Sequence, residues 1–219
     1  MIYFISDLHG EGDVRALKRY EKVRKDGDML IILGDVGVKF DKNSEENACF
    51  DKYFLALDYP TLIVDGNHEN FDYLYSFPRE KTYGGEVHRL TDNIVYLRRG
   101  EIFNLEGKTF FVMGGCKSSA KWKEMGLWFE GEEPTEVELS LAYNNLQKCQ
   151  NQVDYVLTHK YVDYKKDVES KFQALSLEGL TKYIDENVTF RHWYSGHWHI
   201  NKVIDENHTI VYDELIQLA

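Results

Sequence analysis

Five short clusters in this chain carry side chains able to bind metal ions: Asp7-Leu8-His9, Gly34-Asp35, Gly66-Asn67-His68-Glu69, Thr158-His159 and Gly196-His197-Trp198-His199. Carboxylate oxygen, amide oxygen and imidazole nitrogen make a mixed donor set. Such a set suits Mn²⁺, Fe or Zn²⁺ better than Ca²⁺, which prefers oxygen alone. Asp7 and His9 are two residues apart, as are His197 and His199. In extended backbone such pairs share one face, so each pair can grip one ion. Taken singly, the clusters have ordinary readings: an Asp turn beside a surface histidine, a tight Gly-Asn turn, a packed histidine. Taken together they favour chemistry. Five of the eight histidines fall in them, whereas His88, His192 and His208 have no such context.

The positions of the clusters explain how they could meet. Apolar, β-branched or aromatic runs at residues 2–5, 29–33, 62–64, 94–97, 109–113, 153–157, 188–194 and 209–212 read as buried strands. The five clusters follow directly on those at 2–5, 29–33, 62–64, 153–157 and 188–194. Crossover helices near residues 14–24 and 44–57 make the first three strands parallel. Open α/β sheets collect ligands at the carboxyl ends of such strands. Three runs within residues 94–113, separated by Arg99-Gly100 and Glu106-Gly107-Lys108, predict an antiparallel meander. Pro134, Thr135 and Glu138 form a capping-box signal that starts a helix running to about Lys148, and another helix is expected over residues 177–186. The expected fold is α/β, with a mixed set of strands in two sheets packed face to face under outer helices. No repeat, linker or low-complexity tract divides it, so residues 1–219 read as one domain.

The formal net charge of −11 argues against a partner in extended duplex nucleic acid. No apolar run approaches the roughly 18 residues that span a bilayer, and the start of the chain lacks the pattern of a signal peptide. No membrane partner is expected. Cys49, Cys116 and Cys149 are too far apart for a Cys-x-x-Cys site or a disulfide framework, which points to the cytoplasm. An anionic substrate meeting so acidic a protein needs a local positive centre, and bound metal would supply one.

In chain order, Asp-x-His, Gly-Asp, Gly-Asn-His-Glu, a lone His and Gly-His-x-His run from Asp7 to His199. This ordered set resembles the calcineurin-like metallophosphoesterase superfamily. Gly114-Gly115, followed by an aromatic segment with Trp122, Trp128 and Phe129, resembles its small single-domain bacterial and phage members. The resemblance implies a four-layer α/β/β/α sandwich and two divalent metal ions, Mn²⁺ first, with Fe or Zn²⁺ as alternatives. It implies that Asp7, His9, Asp35 and His199 hold one ion and that Asp35, Asn67, His159 and His197 hold the other, with Asp35 bridging. It further implies hydrolysis of a phosphomonoester or phosphodiester by in-line attack of a metal-bridging hydroxide, with His68 assisting the leaving oxygen. Charge agrees with this scheme, since two divalent ions outweigh Asp7, Asp35 and a hydroxide and leave the pocket positive.

One departure bears on substrate. The protein serine/threonine phosphatases of the superfamily carry Gly-Asp-x-x-Asp-Arg-Gly, where this chain reads Gly34-Asp35-Val36-Gly37-Val38-Lys39-Phe40. The missing Asp and Arg argue against protein phosphatase activity. They leave the phosphate clamp open among Arg98, Arg99, Lys117 and Lys160. The segment Gly114-Gly115-Cys116-Lys117-Ser118-Ser119 is either a substrate-facing loop, with aromatics that stack on a base, or a turn beside a packed aromatic cluster. The substrate is expected to be a phosphorylated small molecule or a nucleotide; the alternative is a phosphodiester in a nucleotide or short nucleic acid. A non-catalytic scaffold would have lost ligands at several motifs, and this chain keeps each one. No residue pattern names a protein partner. Arg15, Lys18, Arg19, Lys22, Arg24 and Lys25 read as the solvated face of the first helix.

Overall fold

Strand alternation builds this molecule. The computed structural model describes residues 1–9, 14–41, 44–161 and 175–218. In β1 (Ile2–Ile5), Ile2 and Phe4 face one apolar cluster while Tyr3 and Ile5 face another. β2 (Met29–Ile32) and β3 (Thr61–Val64) divide in the same way: Ile31 and Leu62 point to one side, Leu30, Ile32 and Ile63 to the other. Runs without charged residues arise because both faces are covered. β1, β2, β3 and β6 (Ile94–Leu97) pair in parallel. Two antiparallel strands, β4 (Arg79–Thr82) and β5 (Gly85–Arg89), extend one edge, and β13 (Ile216–Gln217) closes the other.

The second sheet holds β7 (Ile102–Leu105), β8 (Lys108–Met113), β9 (Tyr155–Thr158), β10 (His192–Ser195), β11 (Lys202–Asp205) and β12 (His208–Ile210). Strands β8, β9, β10 and β12 are mutually parallel, so their carboxyl ends share an edge. Phe110, Val112, Leu157 and Tyr194 face the first sheet, and Phe111, Met113, Val156 and Trp193 face outward. The outer helices cover both sides. α1 (Val14–Val23), α2 (Glu45–Phe54) and α3 (Phe71–Leu74) pack on the first sheet, while α5 (Glu136–Lys148) and α6 (Leu177–Asn187) pack on the second. The layers therefore run α/β/β/α, as expected. α1 buries Val14, Ala16, Leu17 and Tyr20 at helical spacing and leaves Arg15, Lys18, Arg19 and Lys22 exposed, while Arg24 and Lys25 lie beyond its end. Among the described residues, no helix is long and apolar enough to cross a membrane.

Residues 94–113 do not form the expected meander. β6 belongs to the first sheet, whereas β7 and β8 form a hairpin in the second. The Arg98-Arg99-Gly100 turn moves the chain between sheets, because the apolar faces of β6 and β7 are needed on opposite sides of the central core. The α5 capping box is present as read: Thr135 accepts from the Glu138 backbone N–H, and the Glu138 carboxylate accepts from that of Thr135 at 2.8 Å. Thr135→Ala is expected to cost about 1 kcal/mol, lowering Tm by roughly 2–4 °C in a chain of this size. Thermal unfolding followed by circular dichroism checks it, and an unchanged Tm would show that the cap is redundant.

Candidate metal centre

The five clusters meet where the two sheets present their carboxyl edges. The loop after β1 brings Asp7 and His9, that after β2 brings Asp35, and that after β3 brings Asn67 and His68; β9 leads into His159 and β10 into His197 and His199. The Nε2 atoms of His9 and His199 face each other at 2.9 Å. His9 Nε2 is 3.5 Å from one Asp35 oxygen, and His159 Nε2 is 3.4 Å from the other. His159 Nε2 is also 3.2 Å from Asn67 Oδ1 and from His197 Nδ1. Asp7 Oδ1 is 3.5 Å from His199 Nε2. All seven residues read from the sequence as ligands lie in this one network.

The loops are shaped for the purpose. Asp7, His9, Asp35, His197 and His199 all have positive φ, between 39° and 73°. Left-handed backbone is uncommon outside glycine, and its occurrence at five of the seven candidate ligands marks a site where geometry is imposed. Neighbouring motifs also interlock. A Cβ at Gly66 would overlap the Asp35 carboxylate, and one at Gly196 would overlap Ser6 Oγ and crowd Asp7. Each glycine leaves room for a ligand from another motif.

Three observations show that these groups fit divalent cations. First, the Leu33 carbonyl, 2.8 Å from His159 Nδ1, can only accept, so Nδ1 carries the hydrogen. His159 Nε2 then faces the oxygens of Asn67 and Asp35, a position that takes positive charge: a ring proton, which the Asp35 carboxylate favours, or a metal ion in its place. Second, Asp7 is fully buried, and its Oδ1 accepts no hydrogen bond. Third, donor atoms of Asp7, His9 and His199 lie within 4.8 Å of one another, as do those of Asp7, Asp35 and His159. The protonation of His9 and His197 agrees with this. Burial lowers His9 to about 4 and His197 to about 3, keeping both imidazoles neutral and their lone pairs free. Burial raises Asp7 to about 6. Burial also opposes the charges of Asp35 and His159, but each outweighs it for the other, holding Asp35 low and His159 high.

The family model described as calcineurin-like phosphoesterase matches residues 1–201. The chain belongs to that family. No curated protein matches this chain. Among solved structures it is similar to a Staphylococcus aureus protein described as a candidate 5′-nucleotidase in complex with alpha-ketoglutarate, at 16% identity and a TM-score of 0.49. That match covers 96% of this chain and 48% of the other, so the chain spans about half the length of that relative.

Around the network stand residues that sequence reasoning placed elsewhere or missed. Cys116 is buried, its Sγ 2.9 Å from Asn67 Oδ1 and 3.5 Å from His197 Nδ1, and with His159 and His197 it forms a third group of convergent donors. Its only sequence signal was its place just after a strand. Asn67 is oriented by Ser118, whose Oγ accepts from Nδ2 at 2.9 Å, leaving Oδ1 turned to the histidines. Glu69 does not touch the His68 ring. Its carboxylate instead accepts from the N–H groups of Val36 and Gly37 and from Tyr96 Oη at 2.8 Å, tying the Asp35 loop to the Asn67 loop.

His68 belongs to none of the donor groups. Its backbone N–H donates to Asp35 Oδ1 at 2.8 Å, and its ring stands edge-on to Trp122, Phe40 and His9 at centroid distances of 4.5, 5.3 and 5.1 Å. Among the described residues the ring has no hydrogen-bond partner; Val38, buried where the protein phosphatases carry Asp, supplies none. Burial lowers its pKa. Of the four cations weighed for a phosphate clamp, Arg99 is buried against Asp65, Arg98 pairs with Glu86 at 2.5 Å, and Lys117 lies beside Glu133 at 3.7 Å. Lys160 has no carboxylate partner among the described residues, and its charge reaches His197.

Proposed function

We propose that this chain hydrolyses a phosphomonoester or phosphodiester with two divalent ions, Mn²⁺ in the first instance. Asp7, His9, Asp35 and His199 would hold one ion, and Asp35, Asn67, His159 and His197 the other. The observation that carries this reading is the convergence of His159 Nε2 with Asp35 Oδ1 and Asn67 Oδ1, the Leu33 carbonyl holding Nδ1 so that Nε2 is the nitrogen turned to both oxygens. When bound, paired divalent ions supply Lewis acidity to the phosphoryl oxygens and acidify a water for in-line attack.

The remaining work belongs to the chain. Asp35 turns one oxygen to His9 and the other to His159, the disposition a shared carboxylate needs. Leu33 and Ser118 fix the His159 ring and the Asn67 amide. Glu69 keeps the two loops from separating. His68, beside the donor set and outside it, is placed to hand a ring proton to the leaving oxygen, and Lys160 is the cation left to meet a substrate phosphate. A single domain acting in the cytoplasm accords with three unpaired cysteines. A second reading, a nucleotide or short nucleic-acid phosphodiester, is favoured by Trp122 and Phe40, aromatic rings beside His68 where a base could stack.

The test couples metal analysis to turnover. Purified protein is expected to carry two divalent ions per chain and to hydrolyse p-nitrophenyl phosphate or its bis ester. EDTA should abolish turnover, and Mn²⁺ should restore it. Turnover that survives complete metal removal would overturn the mechanism, and a metal-loaded protein inert to both esters would favour a scaffold.

A further inference from the structure

A sizeable cavity lies away from the metal centre. It measures about 440 Å³ and lies between α3, the strands β4 and β5, the end of β6 with the Arg98-Arg99 turn, and the first turn of α5. Spaces of this size hold small organic molecules. None of the seven candidate metal ligands lines it, nor does His68. Asp65 and Arg99 form the wall nearest the Asn67 loop, joined through Arg99 Nε and Nη2 at 2.7 and 2.5 Å.

The cavity contains a donor without an acceptor. Arg99 is 2% exposed, and its Nη1 makes no hydrogen bond, the Glu138 carboxylate standing off at 3.6 Å. A buried N–H left unsatisfied is costly, on the order of 1–3 kcal/mol, and calls for an explanation. A second guanidinium, that of Arg79, also lines the cavity and has no ion pair or hydrogen bond among the described residues. Leu74, Tyr75, Phe77 and Val137 give the lining an apolar and aromatic part, with the Tyr75 and His88 rings 5.5 Å apart; Arg98, Thr135 and Glu138 complete its polar part. The first turn of α5 is not the attraction, because its capping box already occupies the backbone there.

We propose that this cavity is a second ligand site, built for a small aromatic anion whose charge meets Arg99 Nη1 and Arg79 while its ring lies among Tyr75, Phe77 and Val137. The site is independent of the hydrolytic reading, since it shares no ligand with the metal centre.

Naphthoate, with naphthamide as its uncharged counterpart, probes the site by calorimetric titration of the metal-loaded chain. Naphthoate is expected to saturate with Kd below about 1 mM, and naphthamide to bind at least about tenfold more weakly. Arg79→Ala, at an exposed position, should weaken naphthoate about tenfold. Asp35→Asn should leave that affinity unchanged, which separates the cavity from carboxylate capture at the metals. Absence of saturation by ~10 mM, equal affinity for naphthamide, unchanged affinity in Arg79→Ala, or loss of binding in Asp35→Asn would each overturn the proposal.

Discussion

Asp35→Asn is expected to lower turnover by about 10³-fold or more, equivalent to roughly 4 kcal/mol in the barrier. Asparagine matches aspartate in shape, so the variant isolates charge. Asp35 Oδ1 accepts the His68 backbone N–H at 2.8 Å, and Oδ2 faces His9 Nε2 at 3.5 Å. The amide can keep its oxygen on the His68 N–H and turn its NH₂ towards the His9 lone pair, preserving the loop. What it cannot do is offer an anionic oxygen to both halves of the site. Removing this one charge from a fully buried position should therefore empty at least one ion position while leaving the fold intact. The measurements are metal content per chain by mass spectrometry and kcat with p-nitrophenyl phosphate, with the circular dichroism spectrum as control. A folded variant that keeps both ions and a tenth of the turnover would remove Asp35 from the bridging role.

The part of this arrangement that could be read in the sequence is the part governed by local rules. Ile2, Phe4, Tyr3 and Ile5 announce a strand buried on both faces, and the cluster after it follows from how parallel sheets expose their ends. The same logic placed Asp35, Asn67, His159, His197 and His199 without any knowledge of distance. Features set by tertiary contact were hidden. Arg79–Thr82 is charged and lacks apolar alternation, so β4 could not be seen, although Tyr83-Gly84 forms the positive-φ turn that joins it to β5. The meander failed because nothing local distinguishes a turn within a sheet from a turn between sheets. Cys116 carries no spacing signal, as its neighbours in space, Asn67 and His197, are far away in the chain. Glu69 follows His68 and invites pairing with it, yet the unsatisfied N–H groups of Val36 and Gly37 were the stronger claim on its carboxylate.

His68→Gln is expected to reduce kcat by roughly 10²–10³-fold while metal content stays at its original value. The separation follows from geometry: His68 lies outside the three convergent donor groups, and its tie to Asp35 runs through the backbone, which glutamine retains. Glutamine fills similar space beside Trp122, Phe40 and His9 and can still donate a hydrogen bond, but it cannot give up a proton. The loss should therefore depend on the leaving group. p-Nitrophenolate departs without protonation, so that ester should suffer least; an alkyl phosphate, whose alkoxide needs a proton as the bond breaks, should suffer most. A purely structural histidine would penalise both esters alike, because it would act by misplacing the donor set. Equal losses for aryl and alkyl esters, or a parallel fall in bound metal, would thus assign His68 to holding the loop and leave the proton donor to be sought elsewhere.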